Sequence, residues 1–230
     1  RGVKGIRRAA MAPQIPTKTG REAVLIDCGA TADCTPEFLL QFAFMGSYYA
    51  EKVLGIENPR VALLNIGAED SKVGERQKAV YPLLKQAGET GAINFTGNIE
   101  ARDVPLGGAD VVVADGFSGN ILLKGIEGTA LFMASMMKDM FKKNVLTKLA
   151  ALLCMDGVKA FKKKMDYRET GGTALIGLSK PVIKAHGSSD ALAIRNAIRQ
   201  AIGAVEADVA ATLAANMDHM VIPKEYQHAE

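Results

Sequence analysis

Four short apolar runs recur along the first half of the chain, and a helix-length segment separates each from the next. The runs lie at 23–27, 60–66, 92–95 and 110–114, and most of their residues are Val, Ile, Leu or Ala. Apolar residues at nearly every position, rather than at alternate ones, are typical of strands buried on both faces. Because helices separate the runs, the pattern predicts an α/β protein with a parallel central sheet covered on both faces.

Three helices are predicted between and after these strands. The first begins near Pro36, because Thr35 can cap it and proline suits the first helical position. A second spans 72–86, and a long third helix begins near Gly119. Apolar residues at helical spacing after Pro36 support the first assignment.

The chain changes character between residues 131 and 167. Apolar residues there follow helical spacing with lysines opposite, which predicts an amphipathic helical pair that projects from the body as an insertion. Beyond it we expect strands at 173–178 and 181–185, and then a final helix running to about Asn216. Together these segments predict a single α/β domain over 1–230, which we expect to be the C-terminal part of a longer protein.

Glycine follows every predicted strand of the sheet, at the edge where parallel sheets bind ligands. The segment 115–120 reads DGFSGN and turns from a strand into a helix. Glycines allow backbone N–H groups to approach an oxyanion, and a helix N-terminus favours negative charge. The alternative is an ordinary capped turn. The candidate substrate-binding residues at these strand ends are Asn98, Asp115, Gly116 and Gly119, with Asn120 as an amide donor.

A second helix N-terminus is predicted at 186–190, which reads HGSSD. Gly187, Ser188 and Ser189 offer backbone and hydroxyl donors that suit inorganic phosphate, and His186 adds a third group. Simple capping with a packed imidazole is the alternative. Lys72, after the second strand, either holds an anion or is solvated.

Several classes of function find no support. No GxGxxG follows the first strand and no GxxxxGK[ST] occurs, so no nucleotide cofactor is predicted. The absence of GxSxG and of a Cys–His motif argues against an acyl-enzyme. Three cysteines without a framework favour a reducing, cytoplasmic compartment and no metal site. A net charge of +3 is too small to suggest a nucleic-acid partner.

Positive charge concentrates in the amphipathic segment. Between residues 138 and 164, eight lysines and two aspartates give a net charge of +6, so the rest of the chain carries −3. Such a surface either covers an ordinary core or lies on an anionic membrane. The residues predicted to face that membrane are Leu149, Leu152, Leu153, Lys162, Lys163 and Lys164.

Four stretches of the sequence together resemble the PlsX phosphate acyltransferases of bacterial phospholipid synthesis. They begin with AVLIDCGATADCTPEFLLQFAFMGSYYAEKVLGIENPRVALLNIGAEDSKVGE and continue with INFTGNIEARD, DVVVADGFSGNILLK and GGTALIGLSKPVIKAHGSSD. The likeness covers nearly the whole chain. The family's N-terminal motifs, of the DAMGGD and AGNTGA types, are not in this sequence.

The resemblance implies a Rossmann-like α/β/α sandwich that works as a homodimer. It implies transfer of a long acyl chain from acyl carrier protein to inorganic phosphate, without a cofactor. The acyl phosphate would pass to a membrane glycerol-3-phosphate acyltransferase, and the enzyme would be cytoplasmic and peripherally membrane-associated. Lys72 and Asn120 match residues of importance in that family, and His186 is a weaker candidate for acid–base or orienting work.

Two alternatives remain open at this stage. One is a phosphotransacetylase-like enzyme that uses an acyl-coenzyme A thioester, for which a membrane-binding segment has no purpose. The other is a non-catalytic fragment that only dimerises or binds membrane, which the missing N-terminal motifs favour.

Overall fold

A computed structural model describes residues 1–69 and 75–222 of the chain. Its strands are β1 (Ala10–Ala12), β2 (Gln14–Pro16), β3 (Glu22–Ile26), β4 (Arg60–Asn65), β5 (Asn94–Glu100), β6 (Val111–Val113), β7 (Gly172–Ile176) and β8 (Ile183–Ala185). Its helices are α1 (Pro36–Lys52), α2 (Glu75–Glu89), α3 (Gly116–Lys142), α4 (Val145–Leu153), α5 (Met155–Lys164), α6 (Tyr167–Thr170), α7 (Ala191–Glu206) and α8 (Val209–Ala215). Short 3₁₀ turns cover Ala101–Asp103 and Met217–Met220.

The central sheet has five strands in the order β2-β3-β6-β4-β5. The last four are parallel, which confirms the predicted parallel sheet. The third strand was placed too early at 92–95, because β5 spans Asn94–Glu100 and so contains Gly97 and Asn98, which were expected to follow it. The edge strand β2 departs from that pattern and runs antiparallel to β3. A tight turn, in which Thr17 N–H donates to the Arg21 carbonyl, joins β2 to β3 and leaves no length for a parallel crossover.

Helices cover both faces of this sheet, as the sequence predicts. On one face, α1 and α2 bury Phe42 and Leu84 in the same cluster as Ile26 and Val113. On the other face, the first half of α3 packs Leu122, Leu123 and Ile126 against a second cluster of buried residues. The sheet is therefore the middle layer of an α/β/α sandwich.

The second sheet has three strands, in the order β1-β7-β8, and it is antiparallel throughout. The strands predicted at 173–178 and 181–185 are therefore present, but they pair with each other and with β1 outside the central sheet. The connection from Gly177 to Val182 is too short for a crossover, and Gly177 takes a positive φ of 95° there.

The helix boundaries follow the sequence signals with three differences. Helix α1 begins at Pro36 as expected, with the Thr35 side chain accepting from the Phe38 N–H. Helix α2 ends three residues later than predicted, and α3 begins at Gly116 rather than near Gly119. The predicted final helix is wrong as a single element, because Asp208 adopts a left-handed φ of 42° and separates α7 from α8.

The amphipathic segment is built from three helices rather than two: the second half of α3, then α4 and α5. Helix α4 packs on α3 and α5 packs on α4. Large apolar side chains remain exposed along all of it, and Leu146 and Leu153 are 76% and 84% exposed. The apolar face of this segment is thus not part of the chain's own core.

Candidate active site

The N-terminus of α3 lies at the carboxyl edge of the central sheet, directly after β6. The buried Asp115 carboxylate caps the helix by accepting from the Ser118 N–H at 2.8 Å and from the Ser118 hydroxyl at 3.1 Å. This geometry places the first turn of α3 between the ends of β3 and β4. The helix cap engages both carboxylate oxygens of Asp115, and substrate binding by Asp115 stays a prediction.

A buried carboxylate at the end of β3 organises the neighbouring turn. Asp27 is fully buried and accepts four backbone N–H groups at 2.7–3.2 Å, those of Met11, Cys28, Ala30 and Thr31. These bonds tie β1 and the turn 28–31 to the central sheet. Sequence reasoning missed this residue, although an Asp that ends an apolar strand just before a glycine was a usable signal.

Two glycines let α3 approach this turn. A Cβ atom on Gly116 would overlap the Thr31 carbonyl oxygen, and one on Gly119 would overlap the Asp27 carbonyl oxygen. The Gly116 N–H donates to Thr31 O and the Gly119 N–H to Asp115 O, both at 2.9 Å. Close packing therefore explains both glycines, and their direct contact with substrate stays a prediction.

Asn120 is exposed on the first turn of α3, beside the turn that contains Gly29. A Cβ atom on Gly29 would lie 4.0 Å from Asn120 Cβ and 3.2 Å from Met11 Cε. The Nζ atom of Lys184, on β8, lies 3.7 Å from Met11 Sδ. Lys184 therefore brings a cation from the second sheet to this corner, which the sequence did not indicate.

The thiol of Cys28, in the same turn, is not suited to nucleophilic work. Burial raises the pKa of Cys28 to about 12, the Asp27 charge adds to that rise, and the charges of Lys184 and Lys124 oppose it. A thiol with so high a pKa is almost fully protonated near neutral pH. This agrees with the absence of acyl-enzyme motifs.

Asn98 lies on β5, in register with Leu63 of β4, and its Nδ2 donates to the Glu69 carbonyl at 3.5 Å. Asn65 ends β4 and is buried at the same edge of the sheet. Lys72 lies outside the described residues, so its predicted role stays a prediction.

The turn 186–190 follows β8 of the second sheet. His186 Nδ1 lies 2.7 Å from Ser188 Oγ and accepts from the Ser188 N–H, so the imidazole closes the turn. Asp190 caps α7 by accepting from the Ala193 N–H. That bond first, and then Arg168, lower the pKa of the Asp190 carboxyl.

Ser189 differs from its neighbours in this turn, because its buried hydroxyl has no hydrogen-bond partner in the described part of the chain. Gly187 is exposed, with open space where a side chain would lie. Phosphate binding by Gly187, Ser188 and Ser189 stays a prediction, as does a chemical role for His186.

A family profile described as "Fatty acid synthesis protein" matches residues 1–212. The chain belongs to this family. A family relative from Thermoanaerobacterium thermosaccharolyticum, named phosphate acyltransferase, is 52% identical over 90% of the chain. Another of the same name, from Anoxybacillus flavithermus, is 52% identical over 92%. The chain spans 61% and 63% of the length of these two relatives.

The fold of this chain also occurs in a solved structure, a phosphotransacetylase from Streptococcus pyogenes. The two superpose with a TM-score of 0.52 and 22% sequence identity, over 90% of this chain and 56% of the other. A likeness at this level concerns the fold alone. It agrees with the Rossmann-like architecture that the sequence predicted.

The described residues contain neither a metal-binding cluster nor a membrane-spanning helix. Across residues 1–69 and 75–222, no three His, Cys, Asp or Glu side chains lie close enough together to hold a metal ion. Within the same ranges, no helix combines the length and apolar character that crossing a bilayer requires.

Proposed function

We propose that this protein transfers a long-chain acyl group from acyl carrier protein to inorganic phosphate, and so makes an acyl phosphate for phospholipid synthesis. The observation that carries the proposal is the 52% identity to a phosphate acyltransferase over 90% of the chain. The described residues at the carboxyl edge support it, since they offer an amide and a cation, while the Cys28 thiol there has a raised pKa and is no activated nucleophile. Phosphate itself is then the nucleophile, without a covalent enzyme intermediate.

The proposed reaction is a single displacement at the thioester carbon. A phosphate oxygen attacks this carbon, and the carbonyl oxygen becomes an oxyanion in the tetrahedral intermediate. The C–S bond then breaks, and the proton lost by the phosphate hydroxyl passes to the departing thiolate. Holding the two reactants together is worth up to about 7–11 kcal/mol in the best cases.

Asn120 is the proposed oxyanion donor, because its exposed carboxamide lies on the first turn of α3, next to the Gly29 turn. Removing one such donor typically costs about 10²–10³-fold in rate. Lys72 is proposed as a second contact to oxyanion or phosphate. Ser188 and Ser189 are proposed to bind phosphate, with His186 orienting them.

The first prediction tests the donor. Asn120→Ala should lower phosphate-dependent release of the carrier thiol at least about tenfold while leaving the unfolding midpoint unchanged, because the side chain is exposed. Thr129→Ala, also exposed on α3 but more than two turns away, is the matched control and should keep full activity. Full activity in Asn120→Ala would remove the residue from the mechanism.

The same assay separates the alternatives. Turnover with acyl-coenzyme A but not with the acyl carrier thioester would favour a phosphotransacetylase-like enzyme. No turnover with either thioester would favour a non-catalytic fragment.

We also propose that the enzyme is cytoplasmic and docks on an anionic membrane as a homodimer, through residues 131–167. The supporting observation is the exposed apolar surface there: Leu149, Leu152 and Leu153 are 56%, 64% and 84% exposed. Lys162, Lys163 and Lys164 are exposed beside it. Each lysine near an anionic leaflet contributes about 1 kcal/mol. Docking would release the acyl phosphate close to a downstream membrane glycerol-3-phosphate acyltransferase.

The second prediction tests this docking with vesicles containing anionic lipid. Binding should weaken with salt, with Leu149→Glu, and with Lys162, Lys163 and Lys164 all changed to Glu. Ile198→Glu is the matched control, since Ile198 is 57% exposed on α7, outside the docking segment. Equal loss of binding in the control, or no binding to anionic vesicles at low salt, would contradict the proposal.

A further inference from the structure

Two buried amide atoms at the carboxyl edge of the central sheet have no hydrogen-bond partner in the described part of the chain. They are the Nδ2 donor of Asn65 and the Oδ1 acceptor of Asn98. A buried polar group without a partner has lost its bonds to water and gained none in return, which is unfavourable. A donor and an acceptor left open close together therefore suggest a ligand that satisfies both.

In each carboxamide, the atom that makes a hydrogen bond identifies the other atom as the one without a partner in the described part of the chain. Asn65 Oδ1 accepts from the Ile66 N–H at 2.8 Å, so the amide nitrogen of Asn65 must be the free atom. Asn98 Nδ2 donates to the Glu69 carbonyl, so the amide oxygen of Asn98 must be the free one. Exchanging nitrogen and oxygen in either side chain would place two donors or two acceptors against each other.

The strand register puts both side chains on one face of the sheet. Leu63 pairs with Asn98 and Asn65 pairs with Glu100, and paired residues of parallel strands point the same way. A strand spacing of about 4.8 Å and a rise of about 3.3 Å per residue place the Cα atoms of Asn65 and Asn98 about 8 Å apart. A tetrahedral oxyanion with a hydrogen bond at each end fits that span.

This position is next to the start of α3. Leu63 also pairs with Val113 of the adjacent strand β6. Two residues further along each strand, Asn65 therefore lies opposite Asp115. Both amides therefore lie at the edge of the sheet that carries Asn120. Glu100, the carboxylate nearest to Asn65 in the register, is paired with Arg102 at 3.1 Å.

Among small oxyanions, phosphate has the required combination of groups. Near neutral pH inorganic phosphate carries acceptor oxygens and at least one hydroxyl, whereas sulfate carries acceptors only. An open donor beside an open acceptor thus distinguishes the two anions, because sulfate would leave the Asn98 oxygen unpaired.

We infer that Asn65 and Asn98 form a subsite for protonated inorganic phosphate, in which Asn65 Nδ2 donates to a phosphate oxygen and Asn98 Oδ1 accepts from the phosphate hydroxyl. The inference rests on the proposed function for the role of phosphate as co-substrate. It assigns Asn65 to the site, gives Asn98 the task of recognising the proton, and is an alternative to the phosphate contacts proposed for Ser188 and Ser189.

Calorimetric titration of the full chain with inorganic phosphate, arsenate and sulfate tests this subsite. Phosphate and arsenate, which both keep a hydroxyl, should bind at least tenfold more tightly than sulfate. Asn65→Leu should weaken phosphate binding about tenfold or more. Asn98→Leu should weaken the binding of phosphate but not the binding of sulfate, and so abolish the preference for phosphate.

Asn94→Leu is the matched control. Asn94 lies on the same strand as Asn98 but at its amino end, where its Nδ2 donates to the Asn58 carbonyl. It should bind phosphate and sulfate as the unchanged chain does. Unfolding midpoints measured for all variants would reveal any that lose binding because they no longer fold, and Asn65→Ala then replaces the leucine variant.

The outcomes separate this inference from the proposed function. Equal affinity for phosphate and sulfate, no phosphate binding by the chain, or an unchanged preference in Asn98→Leu overturns the subsite. Acyl transfer to phosphate with an unchanged phosphate KM in both variants overturns the subsite but keeps the acyltransferase. Selective phosphate binding without acyl transfer keeps the subsite and overturns the acyltransferase.

Discussion

Gly119→Ala should displace the first turn of α3. The new Cβ atom would overlap the Asp27 carbonyl oxygen and lie 3.0 Å from its carbon and 3.3 Å from Cys28 Cα. All three are backbone atoms, so no side chain can rotate away. The Asp27 backbone is itself held, because its N–H donates to Ala114 O at 2.9 Å and its carboxylate accepts four further N–H groups.

Overpacking against atoms that can shift costs about 1–3 kcal/mol, so we expect about 3 kcal/mol or more here. For a chain of this size that lowers the melting temperature by about 6–12 °C. Gly125→Ala is the matched control on the same helix, where the new Cβ would have no neighbour within 4 Å. It should stabilise the protein by about 0.5–1 kcal/mol through helix propensity alone.

Thermal and urea unfolding of both variants measure this difference, and calorimetric titration with phosphate shows whether the site at the sheet edge survives. If Gly119→Ala melts within 2 °C of the unchanged chain, the free energy of unfolding has fallen by about 1 kcal/mol or less. The helix would then not pack on Asp27 as described. The explanation of both glycines by close packing would then be wrong.

Two predictions concern other residues of the same turn. Asp27→Asn should lower the free energy of unfolding in urea by about 2–3 kcal/mol. The new amide nitrogen is a donor, so one of the four N–H groups that Asp27 binds would lose its acceptor. Asp218→Asn, at an exposed site, is the control and should change stability little. With a thiol reagent at pH 8, the exposed Cys154 should react fast, while Cys28, with a pKa of about 12, should not. Cys154→Ser should remove the fast phase, because Cys28 and Cys34 are both buried. A fast reaction that persists when Cys154 and Cys34 are both changed to Ser would contradict the burial of Cys28.

The sequence was sufficient to predict β3, β4 and β6, because burial on both faces leaves a nearly continuous apolar run in each. The edge strand β5 was placed too early, because it reads NFTGNIE and carries no such run. The sequence was also sufficient for α1, where Thr35 and Pro36 mark the start through local chemistry. Both signals depend on residues adjacent in the chain. The exposed amphipathic segment could be predicted for the same reason.

The features that were missed depend on distant residues. The four bonds to Asp27 include one from Met11, sixteen positions away, and Lys184 approaches Met11 from the other end of the chain. The left-handed turn at Asp208 interrupts a pattern that reads as continuous helix. Asn65 ended a predicted strand without suggesting chemistry, because its free amide becomes evident only when Ile66 and the neighbouring strand are in place.

Helix α3 joins the candidate site to the far end of the exposed segment without a break. Asn120 lies on its first turn, and Met140 lies near its last, 20 residues further along the same element. At a rise of 1.5 Å per residue, the two are about 30 Å apart. The number of residues in one helix thus sets the distance between the candidate site and the far end of the exposed segment. Adding or deleting a single turn would change that distance by about 5.4 Å without altering either end.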